Sequence, residues 1–200
     1  MAYICSAVQS YPHGCNRAGA RIVRLKDGRK VSLREACRED IAGVQQFVRG
    51  LSVRSRRNRF FSSLRELSPS QLERVTRSSP PDELALVGES ADMDGSPRIV
   101  AMAQYAADEA LDAEFAIVVD DAWQREGLGT QLLGTLAEHA ARAGLITFGG
   151  LVLADNWPML ELLARFDYET VTDSDPRVIR VIKRLDVLGN PLFTSLERRQ

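Results

Sequence analysis

Between Leu111 and Ala143 an apolar run, Glu114-Phe115-Ala116-Ile117-Val118-Val119, leads through a polar turn into Gln124-Arg125-Glu126-Gly127-Leu128-Gly129-Thr130. Leu128, Leu132, Leu133, Leu136, Ala137 and Ala140 then recur at the spacing of one helical face, so a buried helix begins where the glycines sit. Strand, glycine turn and helix form one unit, around which the rest of the chain has to be arranged. A helix start offers N–H groups without intrahelical partners and the positive end of the helix dipole, and both attract phosphate oxygens. Gly127 and Gly129, lacking a Cβ, would let the backbone approach a pyrophosphate closely and adopt φ angles that other residues avoid. No Lys-Ser/Thr pair follows, so this is not a Walker A loop, and the three-glycine dinucleotide fingerprint is absent. The spacing implies a phosphate ligand of another kind, or else a strand-to-helix turn that merely uses glycine.

The pattern Gln124-x-x-Gly127-x-Gly129, entered from Val118-Val119-Asp120 and followed by an amphipathic helix, resembles the acetyl-coenzyme A motif of the GNAT acetyltransferases. Downstream, Leu151-Val152-Leu153-Ala154-Asp155-Asn156 reads as a strand ending in that family's asparagine, before a helix from about Pro158 to Arg165. The resemblance spans most of Arg21 to Leu185. It implies that acetyl-CoA is held by Gln124, Arg125, Glu126, Gly127, Leu128, Gly129 and Thr130, by the strand end Ile117, Val118 and Val119, and by Asn156. More narrowly, Arg59-Phe60-Phe61, Leu67-Ser68-Pro69 and Ala113-Glu114-Phe115 resemble the bacterial protein lysine acetyltransferases that modify acyl-CoA synthetases.

A chain of 200 residues, 44% apolar and 26% charged, suits one globular domain with a substantial core. Its net charge of −1 supplies no global attraction to nucleic acid or to an anionic membrane. The apolar uncharged run Ala143 to Ala154 is too short to span a bilayer, and Met1 to Ala20 lacks the basic leader and apolar core of a secretory signal, which places the protein in the cytoplasm. Cys5, Cys15 and Cys37 are odd in number and widely spaced, fitting a reducing compartment rather than a disulfide framework; no metal site is expected, and His13 beside Cys15 finds no second ligand pair.

Periodicity and the resemblance together divide the chain into a flexible N-terminal segment (1–20), a GNAT-like acetyltransferase domain (21–184) and a C-terminal tail (185–200). Arg21 to Leu25 and Arg29 to Leu33 alternate around Lys26-Asp27-Gly28, a hairpin signal. Helices are expected over Glu39 to Val48, Val53 to Ser62 and Pro69 to Thr76. Glu83 to Glu89 and Arg98 to Tyr105 flank the turn Asp92-Met93-Asp94-Gly95-Ser96-Pro97, with Leu111 to Val119 the next strand. Thr147 to Ala154 and Arg177 to Lys183 close the sheet. The result is an α/β (α+β) fold: a GNAT-like mixed, mostly antiparallel sheet flanked by helices in one domain. Arg54, Arg56, Arg57 and Arg59 read as a solvated basic face rather than a nucleic-acid groove, with contact to an acidic protein surface a second reading, and Phe60 and Phe61 as core anchors. Leu192, Phe193 and Leu196 in the tail could dock on a neighbour or on a second subunit.

Joining an amine to a thioester carbonyl requires something to take the amine's proton at neutral pH. Strand alternation groups Glu114 with Ala116 and Val118, where apolar surroundings would raise a carboxylate toward the useful range. It lies roughly 16 Å before Val119 along an extended strand, comparable with a pantetheine arm. Spacing alone favours an exposed strand-start glutamate, and Asp112 and Glu109 compete; the lysine acetyltransferase resemblance reverses that order and implies that Glu114 is the general base. The amide of Val118 or Val119 could donate to the thioester oxygen. Many relatives carry a tyrosine to protonate the leaving thiolate where this chain has Leu163, and Tyr168 falls at a core position, so either water protonates the thiolate or no acid is needed. Relatives with Gly-Arg at positions 125 and 126 contrast with Arg125-Glu126 here, which brings a carboxylate near the expected phosphates. The reading is an acetyl-CoA-dependent N-acetyltransferase whose acceptor is a protein lysine. A small-molecule amine acceptor, or a non-catalytic acyl-CoA-binding module, is the alternative.

Overall fold

The structure, a computed structural model, describes residues 19–91 and 95–185. Expectations for the N-terminal segment including Cys5, His13 and Cys15, for Asp92 to Asp94 and for the C-terminal tail fall outside the described residues. An eight-stranded sheet has the order β1-β2-β3-β4-β5-β6-β8-β7. Its strands are β1 (Arg21–Arg24), β2 (Lys30–Glu35), β3 (Glu83–Ala91), β4 (Pro97–Ala107), β5 (Asp112–Val119), β6 (Thr147–Leu153), β7 (Glu169–Thr172) and β8 (Val178–Arg184). All neighbours are antiparallel except β5 and β6. Three helices, α1 (Ile41–Gly50), α2 (Val53–Phe60) and α3 (Pro69–Val75), connect β2 to β3. The long helix α4 (Leu128–Arg142) follows β5, and α5 (Trp157–Ala164) follows β6.

The sheet has a core on each face. Alternation in β5 sends Ala113, Phe115, Ile117 and Val119 to the face covered by Leu128, Leu132, Leu133 and Leu136 of α4. Val118 joins Val44, Phe47, Val48, Leu72 and Val75 of α1 and α3 on the opposite face. The leucines of α4 are at most 1% exposed, and each contributes about 1.5–3 kcal/mol by leaving water. Arg34 on β2 locks the helical layer to the sheet: it gives paired hydrogen bonds of 2.8 and 2.7 Å to Asp40, just before α1, and one of 2.7 Å to Glu89 on β3.

Two features depart from the sequence reading. Strand β7 is exposed along its whole length, so it carries no apolar alternation that could announce it. Cys37 is disulfide-bonded, against the expectation from cysteine spacing, because separation along the chain does not measure separation in space. Among the described residues, no helix is long and apolar enough to cross a membrane.

The parallel pairing of β5 and β6 covers only Asp112 with Thr147, Ala113 with Phe148 and Glu114 with Gly149. Beyond Glu114 the strands part, while β6 stays paired with β8 to Leu153. Glycine permits the close approach at the fork, because a Cβ on Gly150 would stand 2.9 Å from the Phe115 carbonyl oxygen. The fork opens a wedge in the middle of the sheet, and the functional site is built around it.

Candidate active site

Past Val119 the chain enters a 3₁₀ turn, Asp121–Trp123, whose start is capped by Asp120 accepting from the Ala122 amide at 2.9 Å. Arg98 on β4 holds the other oxygen of that carboxylate at 2.7 Å. Arg125 (φ 65°) and Gly127 (φ 94°) both take left-handed backbone conformations, and Gly127 is the N-cap of α4. For a β-carbon-bearing residue this conformation costs about 1–2 kcal/mol, so the turn stores strain at Arg125. Gly129 lies inside the first turn of α4, and a Cβ there would merely touch Leu162 at 3.5 Å. The turn is pinned from outside by the Lys26 amide donating to the Glu126 carbonyl at 3.1 Å and by Arg29 lying 3.8 Å over the Trp123 ring.

A polar clamp ties the turn to α2. Asp121 accepts from the Ser52 amide (2.9 Å), the Ser52 hydroxyl (2.7 Å) and the Ser55 hydroxyl (2.8 Å). Burial pushes this carboxyl up, but the hydrogen bonds from Ser52 and Ser55 outweigh it and hold Asp121 below the usual carboxylate value. Gln124 donates to the Ser55 hydroxyl at 3.1 Å and to the Val119 carbonyl at 3.0 Å, so its side chain braces the turn against the strand end. The sequence shows Ser52 as a helix cap only; its second partner, 69 positions away, is invisible there.

The wedge between β5 and β6 forms one cleft with two lobes. The first, about 690 Å³, is lined by Glu114, Gln104 and Arg59, and the second, about 750 Å³, by Val118, Val119, Gln124, Arg125, Gly127, Gly129 and Thr130. Ile117, Asn58, Asn156 and Met159 line both. Asn156 caps α5, its carbonyl accepting from Met159 and Leu160 at 3.1 Å, and its position at the junction is set by that helix start. The Asp120 amide donates to Val100 of β4, so ladder alternation turns the amides of Ile117 and Val119 away from β4 and toward the wedge. Of the two donors expected from sequence, Val119 fits and Val118 faces β4. Lys26, Arg54, Arg125 and Arg165 give the second lobe a cationic lining.

Other expectations are corrected. Glu114 is exposed rather than wrapped in apolar side chains, since the wedge opens beside it. Among the described residues its side chain makes no hydrogen bond, whereas Asp112 accepts from the Thr147 hydroxyl at 2.5 Å and Glu109 stays outside both lobes. Leu128 is 1% exposed in the core, and neither it nor Glu126 lines the second lobe, so the Glu126 carboxylate does not intrude there. Arg56 is buried, its guanidinium donating to the Leu51 carbonyl that ends α1, and Arg57 pairs with Asp155 at 2.7 Å; the four arginines are not one solvated face. Phe61 is 46% exposed, leaving Phe60 as the anchor. Leu163 is core, and Tyr168 packs 5.8 Å from Phe115 away from both lobes, its phenol pushed up by burial.

A forked sheet that opens beside a left-handed, amide-presenting turn defines a class of domain that takes an elongated, phosphate-bearing co-substrate into the sheet itself. The chain belongs to the acetyltransferase (GNAT) family, whose model matches residues 51–168. It is 31% identical over 162 residues to an acetyltransferase of Pseudomonas aeruginosa, spanning 80% of this chain and 86% of that one. The GNAT domain of S. lividans PAT is similar in structure, with a TM-score of 0.75 at 25% identity over 83% of this chain and 97% of that domain. That neighbour supports the narrower resemblance to bacterial protein lysine acetyltransferases. A cAMP-binding acyltransferase from Mycobacterium smegmatis shares the fold, with a TM-score of 0.56 at 21% identity; the match spans 88% of this chain and 51% of that protein.

Proposed function

We propose that the protein transfers the acetyl group of acetyl-CoA to an amine, a protein lysine being the favoured acceptor, with Glu114 as general base. The observation that carries this reading is the continuity of the cleft. A phosphate-cradling turn stands at one end, an unengaged carboxylate at the other, and Ile117 and Asn156 belong to both lobes. The residues fit the co-substrate. The second lobe offers the amides at the start of α4, a positive-φ glycine without a Cβ, and the basic side chains of Lys26, Arg54, Arg125 and Arg165 for phosphates. Acetyl-CoA supplies an activated thioester carbonyl when bound.

The chain's own residues do the rest. A lysine amine, protonated at neutral pH, gives its proton to Glu114, whose exposure lets the proton pass on to water. The amine then attacks the carbonyl carbon, a C–N bond forms, the nitrogen gives its second proton to Glu114 and so to water, and the Ile117 and Val119 amides receive the oxygen as it gains charge. The C–S bond breaks, and the thiolate takes its proton from water, since Leu163 and Tyr168 are both outside the cleft. A thiol of pKa about 8.5 is acidic enough to leave in this way. Purified protein mixed with acetyl-CoA and lysine peptides, with free thiol followed over time, tests the reading: acceptor-dependent thiol release is expected. Coenzyme binding without such release would instead support an acyl-CoA-binding module.

A further inference from the structure

The first lobe has a sheet floor and a helical roof, and each carries an unsatisfied polar group. On the floor, Gln104 pairs with Ala116 and Ala106 with Glu114 across β4 and β5, so Gln104 and Glu114 are diagonal neighbours on one face. Gln104 Oε1 is enclosed and has no hydrogen-bond partner among the described residues. In the roof, α2 and α3 bring Arg59 and Arg74 to the lining. Arg59 Nε is also enclosed without a partner, and its guanidinium packs 4.8 Å from the centre of the Phe60 ring. Burial, with repulsion from Arg74, lowers Arg59 to about 10, which leaves it charged at neutral pH.

The other acids of the lobe are committed elsewhere. Glu83 takes two nitrogens of Arg77 at 2.9 and 2.7 Å, Asp112 accepts from Thr147, and Asp108 caps its own turn through the Ala110 and Asp112 amides. Among the described residues the half-buried Arg59 guanidinium has no counter-ion and the enclosed Gln104 amide oxygen has no donor, and both are costly. A purely structural role explains neither, because apolar side chains would pack at both places without the desolvation cost. Both groups line the cavity that also holds the candidate base.

We propose, resting on the acetyl-transfer reading, that the acceptor carries an anionic group within reach of its amine. Arg59, with Arg74 beside it, binds a carboxylate of the acceptor, and Gln104, turning its amide oxygen out of its enclosed position into the cavity it lines, accepts from the amine and holds it against Glu114. Arg59 and Gln104 are thereby specificity-determining residues. The acceptor class is an amino carboxylate with the two groups at opposite ends, or the equivalent pair in a protein, a lysine with an acidic side chain close by.

The test uses a series of ω-amino carboxylates of increasing length, each matched with its carboxamide, and a lysine peptide with glutamate or glutamine beside the lysine. Affinity is measured by calorimetry without coenzyme, and thiol release is followed with acetyl-CoA. At the best length the acid form is expected to bind about 10- to 100-fold more tightly than the amide, the worth of a charge-assisted hydrogen bond pair. Arg59→Gln should bring that ratio to about one and Arg59→Lys should keep part of it, which an arginine with only a packing role would not show. Equal affinity of acid and amide at every length in the unaltered protein overturns the proposal, as does an Arg59→Gln variant that keeps the original ratio. The ratio in the unaltered protein decides the matter if the variants do not fold. A preference in binding without thiol release would remove the transfer reading and leave the anion site. Equal thiol release from both forms would do the reverse. A preference confined to the peptides identifies the protein source, and one present in the free acids identifies the small molecule.

Discussion

Glutamine in place of Glu114 keeps the side chain's length and removes its ability to take a proton. Glu114 is exposed and supports no packing, so Glu114→Gln should leave folding and coenzyme affinity unchanged while lowering acetyl transfer by about 10²- to 10⁴-fold at neutral pH. The variant's rate should follow the concentration of free amine and approach that of the unaltered protein in alkali, where the amine arrives deprotonated. Near-normal turnover at neutral pH, with chemistry rate-limiting, would rule Glu114 out as the base. The two motif glycines should separate in the same way. At Gly127 (φ 94°) a valine is strained by about 1–2 kcal/mol and also crowds the amides, so both stability and acetyl-CoA affinity should fall. Gly129→Ala meets only Leu162 at 3.5 Å and should lose affinity with little change in denaturation midpoint. Loss of stability at both positions, or unchanged affinity at both, would contradict the cradle.

Asp121 links two elements that the sequence separates, the 3₁₀ turn and the start of α2. Asp121→Ala leaves the Ser52 amide and both serine hydroxyls without their acceptor, which should cost about 1–2 kcal/mol and loosen the turn, weakening coenzyme affinity as well. Because hydrogen bonding lowers the Asp121 pKa in the folded protein, its contribution is present above the unfolded value of about 3.9 and fades as pH falls through the lower folded value. The variant and the unaltered protein should therefore converge in stability under strongly acidic conditions, as denaturant titrations across pH would show; a constant gap would assign the effect to packing. The contrast with α4 shows which elements sequence can reveal. Helix α4, the β1–β2 hairpin and the β3–β4–β5 meander announce themselves through apolar spacing and Asp-Gly punctuation, signals held within a few residues. The clamp, the fork at Gly150 and the unsatisfied Arg59 and Gln104 depend on atoms brought together from distant positions. Local periodicity contains no trace of them. Glu114 was legible as a candidate, but its open environment was not, because the parting of β5 and β6 beside it is a property of two strands.

At the scale of the whole molecule the cleft divides the two cores: α1 to α3 cover one sheet face, α4 and α5 the other, and the wedge runs between them. Across its mouth the walls meet through Arg57 and Asp155, an exposed pair that contributes little and is weakened by salt. A ligand that fills both lobes and binds only the folded state should therefore stabilise the entire domain more than any native contact across the wedge. At a hundredfold excess over its dissociation constant, acetyl-CoA should add about 2.7 kcal/mol, which for a chain of this size raises the melting temperature by roughly 5–11 °C. Dephospho-CoA lacks a phosphate for which Lys26, Arg54, Arg125 and Arg165 offer charge, so the same concentration should produce a smaller shift. Raising the salt should narrow the difference between the two ligands, because the exposed basic side chains are screened while the α4 amides are not. Differential scanning calorimetry over a ligand series reads all three effects. Identical shifts for both coenzymes at low salt would remove these basic residues from the phosphate site and leave the backbone turn as its sole holder.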